Sequence, residues 1–355
     1  MIIQANPLTQ LVTAIFQAGG SEKDEAELVA SSLVRSNLMG HDSHGVGLVP
    51  TYIRHIMAGL LKPNTPVAGV RDEGAILMFD GQRGFGRRVA GEAMTAAIEH
   101  CGTTGVVLMT LRNSHHVGRI GAYGEMAMDA GLISLHFVNV TDHNPSVAPW
   151  GGAQPRFVTN PVCIAVPGTD RMPPTLLDMA TSQIAMGKVR VAMTKGVPVP
   201  EGMLLDQQGQ PTTDPNVMYT EPRGALLPFG EHKGSGLALM CELLAGALSG
   251  GGTIQPGHAR QDSVINNMFN VIVDPARLVD MDWLQAEIDA TLDYVKSARP
   301  ADPQQPILVA GDPERARIQE RTASGIDIDD TAWGQILDAA KEIGMSEQAL
   351  ADLVP

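Results

Sequence analysis

Two adjacent imidazoles, His115 and His116, sit in residues 113–121, NSHHVGRIG, beside a glycine and Arg119. Imidazole titrates near ~6.5, so either ring can give or take a proton at neutral pH. From the residues alone, each serves equally well as a hydrogen-bonded core histidine, and the pair names no reaction. A second pair, His41 and His44, belongs to HDSHG at 41–45. With His115, His116 or Asp178 it could supply metal ligands, although no HExxH helix or CxxC pair accompanies it. In the other reading, Asp42 or Ser43 caps the following segment and fixes a neighbouring ring. A third cluster, PFGEHKGSG from Pro228, places His232 and Lys233 at the start of a long apolar helix that is expected to be buried. Free backbone N–H groups at such a helix start attract phosphate or carboxylate, and Lys233 adds a point charge. Alternatively, Gly234 and Gly236 only allow close packing there.

An apolar run from Val106 to Met109 predicts a strand that leads into the His115–His116 pair, and Gly118, Gly121 and the spacing after them predict a helix over 121–130. The pair then stands at a strand's carboxyl end, where open α/β sheets bind ligands. Strands at 76–79, 106–110, 132–140 and 175–177 alternate with helices at 91–100 and 121–130, which predicts an α/β sheet. Proline and glycine punctuation at 144–152 and 167–174 argues for a mixed sheet over an all-parallel one. Helical periodicity occupies both chain ends. Leu8, Leu11, Val12, Ile15 and Phe16 form a stripe up to Gly19, and Ser21 with Asp24 predicts a capping box for a helix from about Glu22 to Met39. Leu284, Ile288, Leu292 and Val295 form a further stripe, as do Trp333, Ile336, Leu337, Ala340 and Ile343, closed by Gly344. The expected organisation is a discontinuous helical domain, 1–72 plus 282–355, around an α/β domain at 73–281.

Composition narrows the class. At 355 residues, 44% hydrophobic and 18% charged, the chain reads as a soluble globular protein of about two domains. A net charge of -14 argues against nucleic acid and anionic membrane as partners. Cys101, Cys163 and Cys241 are too few and too scattered for a disulfide framework, so reduced thiols in the cytoplasm are expected. The N-terminus lacks a basic leader pattern, and the most apolar stretch, 236–248, is broken by Glu242 and too short to span a bilayer. No GxGxxG follows a strand: Gly84 and Gly86 are followed by Arg87, Arg88 and Val89, and Gly234 and Gly236 by Leu237, Ala238 and Leu239. GxxxxGK[ST], HExxH and GxSxG are also missing, which removes the main support for kinase, zinc-protease and hydrolase readings.

The ordered set GHDSHG (40–45), NSHHVG (113–118), NPSVAPWGG (144–152), TNP (159–161), LLDMATSQIAMGK (176–188), KGVPVP (195–200) and EHKGSGLALMCELLAGALSGG (231–251) resembles the malate/L-lactate dehydrogenase family, most of all its hydroxycarboxylate dehydrogenases. The likeness runs over nearly the whole chain. It implies a non-Rossmann dinucleotide-binding fold with a mixed sheet, a homodimer, and NAD or NADP as cofactor. The implied reaction interconverts a small 2-hydroxy acid and a 2-oxo acid by hydride transfer. Reduction of a cyclic imino acid is the alternative within the family, and a metal-dependent hydrolase or lyase is the alternative outside it.

The resemblance also implies roles. His116 is the expected proton donor and acceptor, His115 falls to a structural role, and His44 is expected to act in the cleft on cofactor or substrate. Gly118, Arg119, Ile120, Leu176, Leu177, Asp178, Met179, Glu231, His232, Lys233, Gly311, Asp312 and Glu314 are the expected cofactor contacts. Many relatives carry an arginine three or four residues after the S-H-G element, whereas this chain reads Val46, Gly47, Leu48, Val49. Leu48 is therefore expected to border the substrate and to favour a bulkier or less charged end than that of malate. Arg119 becomes the expected carboxylate anchor, unless it serves the cofactor phosphate. Asp312 and Glu314 point to NAD over NADP, since an acidic residue suits a free ribose hydroxyl.

Overall fold

The computed structural model describes residues 1–353. Both chain ends build one helical core. Helix α1 (Ala5–Ala18) buries the expected stripe of Leu8, Leu11, Val12, Ile15 and Phe16. Helix α2 (Lys23–Leu38) starts after Glu22, whose N–H bonds Asn64 Oδ1 at 2.7 Å. The predicted capping box does not form: Ser21 Oγ is buried without a partner. A turn through 41–48 leads into α3 (Val49–Met57). From the far end of the chain, α10 (Asp330–Glu342) and α11 (Glu347–Leu353) add Ile336, Ala339, Ala340 and Leu350 to the same core, and Ile2–Ile3 pairs antiparallel with Ile326–Asp327. Helix α8 (Met281–Lys296) stands apart from it. Its buried Asp289 accepts a 2.5 Å hydrogen bond from Thr169 Oγ1, and Arg171 pairs with Asp293 at 3.0 Å, which ties α8 to the α/β unit.

Seven strands form the mixed sheet: β1 (Ala68–Asp72), β2 (Ile76–Asp80), β3 (Val106–His115), β4 (Ile133–Thr141), β5 (Val162–Val166), β6 (Thr175–Met179) and β7 (Ile265–Val273), in spatial order β1-β2-β3-β7-β4-β5-β6. Only β2 and β3 pair in parallel. Strand β1 lies in this sheet, so the sheet begins a few residues before the expected boundary at 73. Helices α4 (Gly86–Thr104) and α5 (Gly121–Asp129) cover one face, packing Val89, Ala93, Met94, Ala97 and Tyr123 on Val107, Met109, Leu111 and Val138. Helix α7 (His232–Cys241) and the wider-wound turn Glu242–Leu248 lie on the other face, where Glu242 accepts from Asn139 and Asn160 at 3.1 and 2.8 Å. The side of this segment away from the sheet is open, with Leu239, Met240, Leu243 and Leu248 exposed. That corrects the expected burial of the helix.

Two local features aim the sheet at a site. Strand β3 runs on to His115, so the histidine pair closes it at its carboxyl end, level with Ile265 of β7. The first residue of α4 is Gly86, where a Cβ would collide with the His116 carbonyl oxygen. The second glycine of the GFG segment thus serves close backbone packing.

Candidate active site

His116 leaves the end of β3 facing a chamber of about 200 Å³ whose walls include His44, Val138, Val140, Ser146, Val158 and Met186. Its Nδ1 lies 2.6 Å from the Tyr52 hydroxyl of α3. Among the described residues no protein group bonds Nε2, so that nitrogen is the one left to meet a ligand. Burial holds His116 down to about 4, with repulsion from His55 and His143 adding to the effect, so the ring is neutral at pH 7. Burial also keeps Tyr52 protonated well above the usual phenol range. A phenol can donate to or accept from Nδ1, so the contact survives both charge states of the ring.

His44 stacks over His116 with ring centroids 5.6 Å apart and 20° between planes. Its Nδ1 lies 3.0 Å from Ser43 Oγ, so Ser43 does fix the neighbouring ring. Asp42 does not cap. It takes a bidentate contact from Arg321 at 2.6 and 3.0 Å and a bond from Asn37 Nδ2 at 2.7 Å, which pins the 41–48 turn to α2 and to α9 (Asp312–Ser324). His115 turns away into the core: it is fully buried, with Nε2 2.9 Å from His55 Nδ1. Among the described residues no three His, Cys, Asp or Glu side chains are grouped to hold a metal ion. His41 faces Glu314 at 3.3 Å, and the other histidines have the separate partners just given.

The chamber opens past Ser43, His44, Gly118 and Gly187 into a second cavity of about 720 Å³. Its walls hold several expected cofactor contacts: His44, Gly118, Arg119, Ile120, Asp178, Met179 and Glu314. Asp178 Oδ2 accepts from the Gly121 N–H at 2.8 Å, and burial raises its carboxyl pKa against the pull of Arg119. His41 holds Glu314 below the usual carboxylate range.

The remaining expected contacts lie elsewhere. Leu176 faces the sheet core and Leu177 the opposite, exposed side, as strand alternation requires. Gly311 and Asp312 form the turn into α9. Although partial burial opposes it, the Val309 N–H, Arg315 and Lys296 together hold Asp312 down to about 2. Glu231, His232 and Lys233 are exposed and line neither cavity of the cleft. Gly234 backs onto the Phe229 and Thr181 carbonyl oxygens, where a Cβ would collide. Leu48 packs on the helical core, and Gly47 takes its expected place in the wall. Arg119 is 5% exposed, with Nη2 2.6 Å from Glu125 and Nη1 3.6 Å from Asp178. Its charge is already matched by protein carboxylates, so it is not an open fork for a substrate carboxylate.

The paired cavities fit an extended dinucleotide. Arg119 Nη1 is buried without a hydrogen-bond partner beside the larger cavity. Gly118, at φ +73°, has nothing within 4 Å of the place a Cβ would occupy, so a ligand can lie against its backbone. The sequence reading missed Tyr52, His55, Ser146 and Arg190. Each meets the site through tertiary contact, which no local pattern in the sequence records.

A family model described as malate/L-lactate dehydrogenase matches residues 3–337. Hydroxycarboxylate dehydrogenase B of Escherichia coli (strain K12) is 45% identical over 348 residues, 98% of this chain and 95% of the relative. L-lactate dehydrogenase of Cupriavidus necator is 40% identical, covering 98% of this chain and 99% of the relative. The solved structure of a putative malate/lactate dehydrogenase from E. coli superposes with a TM-score of 0.95 at 44% identity, over 99% of this chain and 98% of that one.

Proposed function

The chain belongs to the malate/L-lactate dehydrogenase family of oxidoreductases, and from that premise we propose that it interconverts a 2-hydroxy acid and a 2-oxo acid with His116 as the acid and base. The observation that carries the reading is the Tyr52-anchored His116, facing a small chamber that opens into a cavity of dinucleotide size. A nicotinamide dinucleotide bound there supplies or accepts the hydride. His116 Nε2 gives a proton to the substrate oxygen during reduction and takes it back during oxidation. Tyr52 keeps the ring in place while its charge changes. His44 closes the chamber opposite, and Val138, Val140 and Val158 exclude water from the reacting centre.

Glu314 in the larger cavity supports NAD as the cofactor, since a carboxylate there opposes a 2′-phosphate. The open apolar side of α7 supports a homodimer. Three buried cysteines without disulfides support a cytoplasmic protein, and among the described residues no helix is long and apolar enough to cross a membrane.

The test is an absorbance screen of NADH and NADPH oxidation against pyruvate, oxaloacetate, 2-oxoglutarate, phenylpyruvate and cyclic imines. The expected outcome is NADH consumption with at least one 2-oxo acid. Turnover confined to cyclic imines would reassign the substrate, and no turnover with any of them would sink the reading.

A further inference from the structure

No arginine or lysine lines the chamber that His116 faces. A substrate with a carboxylate beside its reacting carbon, the class proposed above, must therefore draw its counter-charge from an adjoining wall. Arg119 offers no open fork for it, since Glu125 takes its Nη2 at 2.6 Å and Asp178 balances its charge 3.6 Å from Nη1. The wall common to both cavities passes through Ala185 and Gly187 into helix α6 (Met186–Lys195), and Lys188 and Arg190 of that helix line the larger cavity. Both are exposed, and among the described residues neither has an ion-pair partner within 4 Å. Arg190 is the one that meets the histidine turn. Its Nη2 lies 3.6 Å from where a Cβ would stand on Gly47, three residues after His44. At the start of α6, Gly187 lets the helix close on the same turn, since a Cβ there would collide with Ser43.

We propose that Arg190 is the anion anchor of the cleft, its planar fork pairing with the oxygens of a carboxylate or phosphate on the bound ligand. The substrate carboxylate is the occupant that the cation-free inner chamber requires. Dinucleotide phosphates present the same chemistry, and binding measurements separate the two. For its substrate class the inference rests on the proposed reaction. A wild-type protein that turns over no 2-oxo acid fails that reaction, whereas an active wild type indifferent to Arg190 fails this inference.

The experiment compares wild type with Arg190→Ala, Arg190→Lys and Gly47→Val. Calorimetry reads the Kd of NADH, of NADPH and of oxamate on the NADH-loaded protein, and steady-state kinetics reads KM for the accepted 2-oxo acid. Thermal unfolding checks that each variant is folded. Arg190→Ala is expected to weaken oxamate and raise KM by roughly 10- to 100-fold with NADH binding unchanged. Weaker NADH or NADPH binding with oxamate unaffected would keep the anchor and assign it to a phosphate. Arg190→Lys should recover part of the loss, since it keeps the charge without the fork. Gly47→Val keeps the charge but crowds Nη2, and should shift the same constants in the same direction. Arg190→Ala within twofold of wild type in every constant overturns the proposal, and Gly47→Val within twofold overturns the placement of the guanidinium.

Discussion

At the scale of single residues, the proposed chemistry turns on a histidine that burial makes a weak base, so that its acid form is scarce at pH 7. Burial holds His116 down to about 4, and kcat/KM reports that value for the free enzyme. With the neutral ring as the proposed base in the oxidation direction, kcat/KM should stay flat from pH 7 to about 5 and fall as the ring protonates through about 4. With the protonated ring as the proposed donor in the reduction direction, kcat/KM should climb about tenfold per unit as pH drops from 7 towards 5. A reduction rate that rises with pH over that window would remove His116 from the role. Replacing the ring by alanine should cut turnover by roughly two to four orders of magnitude and leave the NADH Kd nearly unchanged. Tyr52→Phe should cost about tenfold in kcat with little change in KM, because the lost hydroxyl orients the ring and does not line the chamber.

At the scale of elements, the sequence was legible wherever one face repeated. The stripe of α1 and the apolar opening of β3 appear as read, whereas β7 went unread although it is the sheet's central strand. Its INNMFNVIV carries three asparagines that break the apolar pattern, yet all three are buried and bonded. Asn270 Oδ1 meets His136 at 2.6 Å, Asn267 Oδ1 accepts from the Asn113 N–H, and Asn266 Oδ1 accepts from the Val117 N–H at 2.9 Å. Helix α6 was silent for the opposite reason: it buries only Val189 and shows no stripe. The pairing of Tyr52 with His116 joins residues 64 apart in the chain, beyond the reach of local pattern. The motifs located the histidines, while the orientation of Arg119 and the wall position of Gly47 needed the packing. Asn266 gives this scale its prediction. Asn266→Ala strands the Val117 N–H next to His116, so it should lower stability by about 1–3 kcal/mol in urea unfolding and reduce kcat as well. A loss of stability with kcat unchanged would separate the strand from the placement of His116.

At the scale of the whole molecule, Leu239, Met240 and Leu243 share one side of α7 and its continuation and remain exposed in the single chain. If that face is where two copies meet, Leu243→Glu should turn a dimer into a monomer by sedimentation, and a wild-type monomer would exclude the assembly. The interior predicts how acid unfolds the protein. His136 is fully buried between Asn270 and Ser134, and burial holds it down to about 4. His115, also fully buried, is pushed down in the same direction. Above pH 6.5 folded and unfolded states both carry neutral rings, so these groups leave stability untouched. Between about 6.5 and 4 the unfolded chain binds protons that the folded chain refuses, and stability falls as pH falls. For His136 alone the full loss is about 3 kcal/mol, complete below pH 4. Asp312 and Glu314, both held low, respond only at still lower pH, while Asp178 and Glu242, both raised by burial, oppose the histidine slope, so the comparison with a His136 variant isolates that ring. Urea unfolding across that range should show stability declining with acid, and His136→Asn should flatten the slope by close to one proton. A slope unchanged by that substitution would mean that the ring is protonated inside the fold.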